Sequence, residues 1–272
     1  MTSHVAFLRA INVGGPLNAG GPHVRSRTAM LALIALLTAA FGQTQTPSYQ
    51  AAIAAYRTAL AALETHTQGR RDLEAAFKAA GVVRESLMQR AAADGSATTV
   101  IESLTAEEFT RLQDGLPGMI VNREEVLLAE PDPDFFVQLA VGHGDSIDRQ
   151  FFAGFKATYP ESVWPVYVEQ QTDYSGCTKF GGGKLVDTYK IWSAFQRRFP
   201  GRYAATVRAE TDRVIEALSG STCACGDRPS IERELQLFAR TFPSSPTRSK
   251  IDERLQALRL GRSDIRLHCI SG

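Results

Sequence analysis

The chain has 272 residues, with 30 Lys and Arg against 29 Asp and Glu, and 44% of it is apolar. That balance excludes a disordered, collagen-like or rod-like chain and offers no basic footprint for nucleic acid. The length suits one large domain or two small ones.

The first strong pattern runs from Val24 to Gln43. Arg25 and Arg27 precede the apolar run Met30–Ala40, and Ala40 and Gly42 follow two apart, as a signal peptidase requires. Charged, apolar and small-residue parts in that order describe a secretory signal peptide. The run falls short of the about 20 residues that span a membrane, although a buried core helix fits its length equally well. No Cys follows it to take a lipid anchor. Residues 24–42 are therefore expected to be a signal peptide. Residues 1–23, rich in Gly and Pro, are expected to be a non-native or disordered extension, with the true start at Val24 or Met30. Cleavage after Gly42 removes three arginines and no acids, leaving 230 residues with a charge of −2.

Within that extension, His4–Gly15 reads H-V-A-F-L-R-A-I-N-V-G-G. It resembles the opening strand and glycine turn of a small bacterial α/β family of unknown function. The likeness stops at Gly15, so neither fold nor function carries over.

Residues 48–114 predict short antiparallel helices. Ile53, Tyr56, Leu60 and Leu63 recur at helical steps, and Leu73, Phe77 and Ala80 repeat the pattern up to an expected stop at Gly81. Val82–Ala93 is expected as a separate helix. Thr105-Ala-Glu-Glu108 is a capping box. Gly115, Pro117 and Gly118 break the pattern, and Met119–Val121 and Val126–Ala129 fit either extended chain or a short helix. Asp132-Pro133 opens a helix to Leu139, and Asp145 or Ser146 caps the next, with Phe151, Phe152 and Phe155 inward. The last third is helical again. Leu185, Tyr189, Trp192, Phe195 and Phe199 share a face, Tyr203–Leu218 follows, Asp227-Arg-Pro229 opens Ile231–Phe242, and Ile251–Leu260 closes the set. The fold expected is all-α: an irregular multi-helix globule of packed hairpins, with one long irregular loop and at most a short strand. It forms a single mainly helical domain over 43–272, with sub-halves at 43–160 and 161–272.

The long loop, 161–184, is the candidate site, because long irregular stretches in compact chains are often functional. Trp164, Tyr167, Gln171, Tyr174, Lys179 and Lys184 are its candidate ligand-binding residues. Glu169 and Asp173 offer a carboxylate pair for a glycan-cleaving hydrolase of the envelope. Gly181-Gly-Gly-Lys184 resembles a phosphate cradle only faintly, since Thr178 and Leu185 stand where the Walker pattern needs Gly and Ser/Thr.

All four cysteines, Cys177, Cys223, Cys225 and Cys269, lie beyond the signal segment. An even count in an exported chain predicts disulfides. Cys223 and Cys225, two apart, are expected to reach distant partners, Cys177 and Cys269, in either pairing. A lone C-x-C is a poor zinc motif, so neither metal nor cofactor is expected. The function expected is that of an exported, disulfide-stabilised bacterial protein, periplasmic or secreted. It binds an envelope or extracellular ligand, with no nucleic acid partner and no membrane span once the signal is removed.

Overall fold

The computed structural model describes residues 48–65, 72–89, 98–124, 126–161, 163–172, 175–220 and 222–267. The expected extension and signal segment lie outside the described residues, as do Asp173, Tyr174 and Cys269. Among the described residues there are ten helices and six short strands.

Helices α1 (Tyr49–Thr65) and α2 (Asp72–Leu87) pack as a pair. Contrary to expectation, α2 runs straight through Gly81. Leu73, Ala76, Phe77, Ala80, Val83 and Leu87 form one continuous buried stripe. Burying Val83 and Leu87 on that stripe outweighs the about 1 kcal/mol that a mid-helix glycine costs. Short helices α3 (Val100–Ser103) and α4 (Ala106–Asp114) each open on a capping box, from Thr99 to Glu102 and from Thr105 to Glu108. Strands β1 (Met119–Asn122) and β2 (Leu128–Pro131) then pair antiparallel, with Ile120 opposite Glu130.

Helices α5 (Pro133–Gly142) and α6 (Ser146–Thr158) form the next hairpin, capped by Asp132 and Asp145 as their sequences predict. The β3 (Val168–Thr172) and β4 (Ser175–Thr178) hairpin follows. Helices α7 (Lys184–Arg198) and α8 (Ala204–Ser219) pack together, as do α9 (Arg228–Thr241) and α10 (Arg248–Arg259). Between and after them lie two-residue strands, β5 (Cys223–Ala224) and β6 (Arg266–Leu267).

The expectation of an all-α fold is therefore corrected: the protein is mostly helical but carries two small sheets. The second has the order β3-β4-β5-β6, antiparallel at β3–β4 and parallel thereafter. Much of the expected irregular loop is this sheet's first hairpin. Strands of two residues have no measurable period, and their partners are distant in sequence, so local pattern could not reveal them.

Apolar side chains gather into two cores. In the first, the Phe77 ring meets Phe136, Phe151, Phe152 and Phe155 edge-on, with centroids 5.0, 5.5, 5.2 and 5.2 Å away. Such contacts add about 0.5–1.5 kcal/mol each beyond burial. The second core holds Leu185, Tyr189, Leu218, Ile231, Leu235, Phe238 and Ile251. The α7–α8 hairpin enters both, since Trp192, Phe195, Tyr203 and Val207 belong to the first core, and Leu185, Tyr189, Val214 and Leu218 to the second.

Candidate functional site

The stapled sheet is the part of the expected site that the structure assembles. Cys177 on β4 bonds Cys225, just past β5, with an S–S distance of 2.08 Å and a sequence separation of 48. Cys223 is disulfide-bonded as well. The main chain repeats the link, because the Cys225 N–H donates to the Thr178 carbonyl at 3.0 Å. Gly176 faces the edge of Trp164, and a Cβ there would lie 2.7 Å from the Val168 side chain and 2.9 Å from the Glu169 carbonyl. Glycine is thus required for the hairpin to close.

The described members of the proposed ligand-binding set differ in exposure. Tyr167 sits in the second core, 3% exposed. Trp164 is half-buried, and Lys179 is half-buried with its N–H on the Tyr167 carbonyl at 2.8 Å. Lys184 is exposed in the first turn of α7, and Glu169 is exposed opposite Cys177. Gln171 lies in β3, but its side chain, like Asp173 and Tyr174, falls outside the described residues. The Glu169–Asp173 pair thus lies partly outside the described residues.

The three glycines have a definite role. Gly181 and Gly183 adopt φ of +88° and +75°, open only to glycine at low cost. They turn their N–H groups onto one buried side chain. The Glu234 carboxylate accepts from Gly181 at 2.9 Å, from Gly183 at 2.7 Å and from Val186 at 3.3 Å. The sequence's faint phosphate cradle is thus filled by an internal anion at the N-terminus of α7, where the helix dipole favours negative charge.

Two further polar clusters join the halves of the chain. Tyr159, ending α6, donates its hydroxyl to both Glu210 carboxylate oxygens at 3.0 and 2.8 Å and accepts from Arg213 at 2.8 Å, while Arg213 also pairs with Glu210. Burial, reinforced by Glu210, pushes the Tyr159 hydroxyl far above its usual range. Glu130 on β2, paired to Arg84 at 3.2 Å, belongs to the same field, and burial raises its carboxyl against the pull of Arg84 and Arg213. In the second cluster Arg202 reaches Glu74 at 2.9 Å, Asp145 at 3.0 Å and Asp148 at 2.5 Å. Asp148 is 1% exposed, and burial raises its carboxyl. Tyr203 completes this knot from a left-handed φ of 52°, donating its hydroxyl to Asp148 and its N–H to Glu74. Its ring stacks on Phe151 at 3.7 Å, so surrounding contacts hold a conformation that costs about 1–3 kcal/mol.

None of these buried groups stood out in sequence, yet a signal existed. Glu210 interrupts the stripe of Val207, Val214 and Leu218, and Glu234 interrupts that of Ile231, Leu235 and Phe238. A carboxylate at a core position of an amphipathic helix demands an internal partner.

Among the described residues, no group of three or more His, Cys, Asp or Glu side chains is set to hold a metal ion. Among the same residues, no helix is long and apolar enough to cross a membrane. Compared with known families, curated proteins and solved structures, the chain matches none.

Proposed function

We propose that this chain is an exported protein of the cell envelope or extracellular space that works by binding a partner there. The observation that carries the reading is the state of its sulfur: Cys177, Cys223 and Cys225 are all disulfide-bonded. Such bonds persist in oxidising compartments and are rare in the cytosol. The Arg25-to-Gly42 segment supplies an export signal of the right order.

Peptide mapping of the native protein under non-reducing conditions tests this. The expected result is a mature N-terminus just after Gly42, a Cys177–Cys225 peptide pair and a Cys223–Cys269 pair. Recovery of the full-length chain from the cytosol with titratable thiols would refute it.

A further inference from the structure

Helices α6 and α7 leave an open groove between them. Its floor is small and apolar: Ala153, Ala157 and Ala194 are exposed, and Ile191 and Phe199 are half-buried. The groove, about 370 Å³, continues past Phe199 into a second hollow of about 300 Å³ at the α7–α8 turn. The helices come together at Gly154, where a Cβ would stand 2.9 Å from the Ile191 Cγ2. Charge is one-sided: Arg198, Arg202 and Arg208 line the two hollows, and none of the described lining residues is a carboxylate. Arg202 is already held by Glu74, Asp145 and Asp148. Exposed Arg198, which donates to the Gln150 amide at 3.1 Å and lies over the Phe199 ring at 5.1 Å, and exposed Arg208 are placed to meet an anion.

We infer that this groove receives an acidic amphipathic helix of a partner protein. An alanine floor lets a third helix lie close, and ridges of its apolar residues fit between α6 and α7. Carboxylates at one end of that helix then lie over Arg198 and Arg208, which sets its direction and steers its approach. The inference rests on the proposed binding role and gives it a surface away from the stapled sheet.

The probe is a fluorescein-labelled helical peptide of about 18 residues, with Leu and Ala on one face and Glu on the other. Its controls carry Lys for Glu or a helix-breaking Pro. Anisotropy with the full-length, disulfide-intact protein is expected to give a Kd of about 10 μM for the acidic peptide. The Lys and Pro versions are expected to bind at least about tenfold more weakly, and raised salt to weaken the acidic complex. Ala194→Trp, which fills the floor, and the pair Arg198→Glu with Arg208→Glu are each expected to lower affinity at least about tenfold without changing the circular dichroism. Should Ala194→Trp fail to fold, exposed Arg208→Glu alone carries the comparison. Equal binding of acidic and basic peptides, indifference to the variants, or no binding up to about 1 mM overturns the inference. So does stronger binding of dodecyl phosphate micelles, which assigns the groove to a lipid. Concentration-dependent self-association abolished by Ala194→Trp also overturns it, assigning the groove to a second copy. An exported, bridged protein that ignores the peptide defeats this inference alone.

Discussion

Glu234 offers a test in which the sign of the outcome decides. A carboxylate buried without partners would cost several kcal/mol, and removing it would stabilise the fold. Here three N–H groups converge on it, at 2.7 to 3.3 Å. Glu234→Ala leaves those donors unpaired at the start of α7, Val186 buried and the two glycines half-buried. Taking about 1–3 kcal/mol for an orphaned donor, with some relief from water, the loss should be about 3–5 kcal/mol. Glu234→Gln can keep its carbonyl oxygen on Gly181 and Gly183 but turns an amide NH₂ toward Val186. It loses charge assistance and one bond, for about 1–2 kcal/mol. With about 2–4 °C per kcal/mol at this size, Gln should melt roughly 2–8 °C lower and Ala roughly 6–20 °C lower. Differential scanning calorimetry measures both. Sulfate should return part of the loss in the Ala variant, because the emptied turn is then an anion nest. If Glu234→Ala melts at or above the wild-type temperature, the buried-anion argument is wrong.

Other outcomes can be checked with the same instruments. Replacing Cys177 and Cys225 together by Ser should cost up to about 4 kcal/mol by loop entropy across a sequence separation of 48, read by denaturant titration in the absence of reductant. Arg202→Ala should cost about 3–5 kcal/mol by stranding buried Asp148, and much of that should return in the double variant Arg202→Ala with Asp148→Asn. Gly81→Ala should stabilise by about 0.5–1 kcal/mol, since the added Cβ meets nothing within 4 Å inside α2. Asp227 is held below the ordinary carboxylate range by the Ser230 hydroxyl and then by the Ser230 N–H. Its contribution is therefore present above about pH 4 and lost as pH falls through its lowered folded value. Wild type should accordingly out-melt Asp227→Asn at pH 7 and match it in strong acid.

Helices and their ends were legible in the sequence because they are local. The caps at Thr105, Asp132, Asp145 and Asp227 stand where side chain and first turn predict them. What local pattern missed was non-local. Strand β5 exists because Thr178 pairs with Ala224 and Cys223 with Arg266, across separations no window covers. The stop expected at Gly81 failed because packing on α1 and the first core outweighed a propensity. The candidate site was legible in one respect, that Cys177 reaches the C-A-C turn. Burial of its described residues was not legible: Tyr167, just before β3, packs into the second core, while Glu169 within β3 is exposed.

The α7–α8 hairpin belongs to both cores, and this makes the protein indivisible. Scission near residue 161 would strand Trp192 and Phe195 on the fragment that lacks Phe77 and Phe151, so each piece would carry a raw aromatic wound. Loss of order in either half should then spread to the other along two continuous rods, and the molecule should melt as one body.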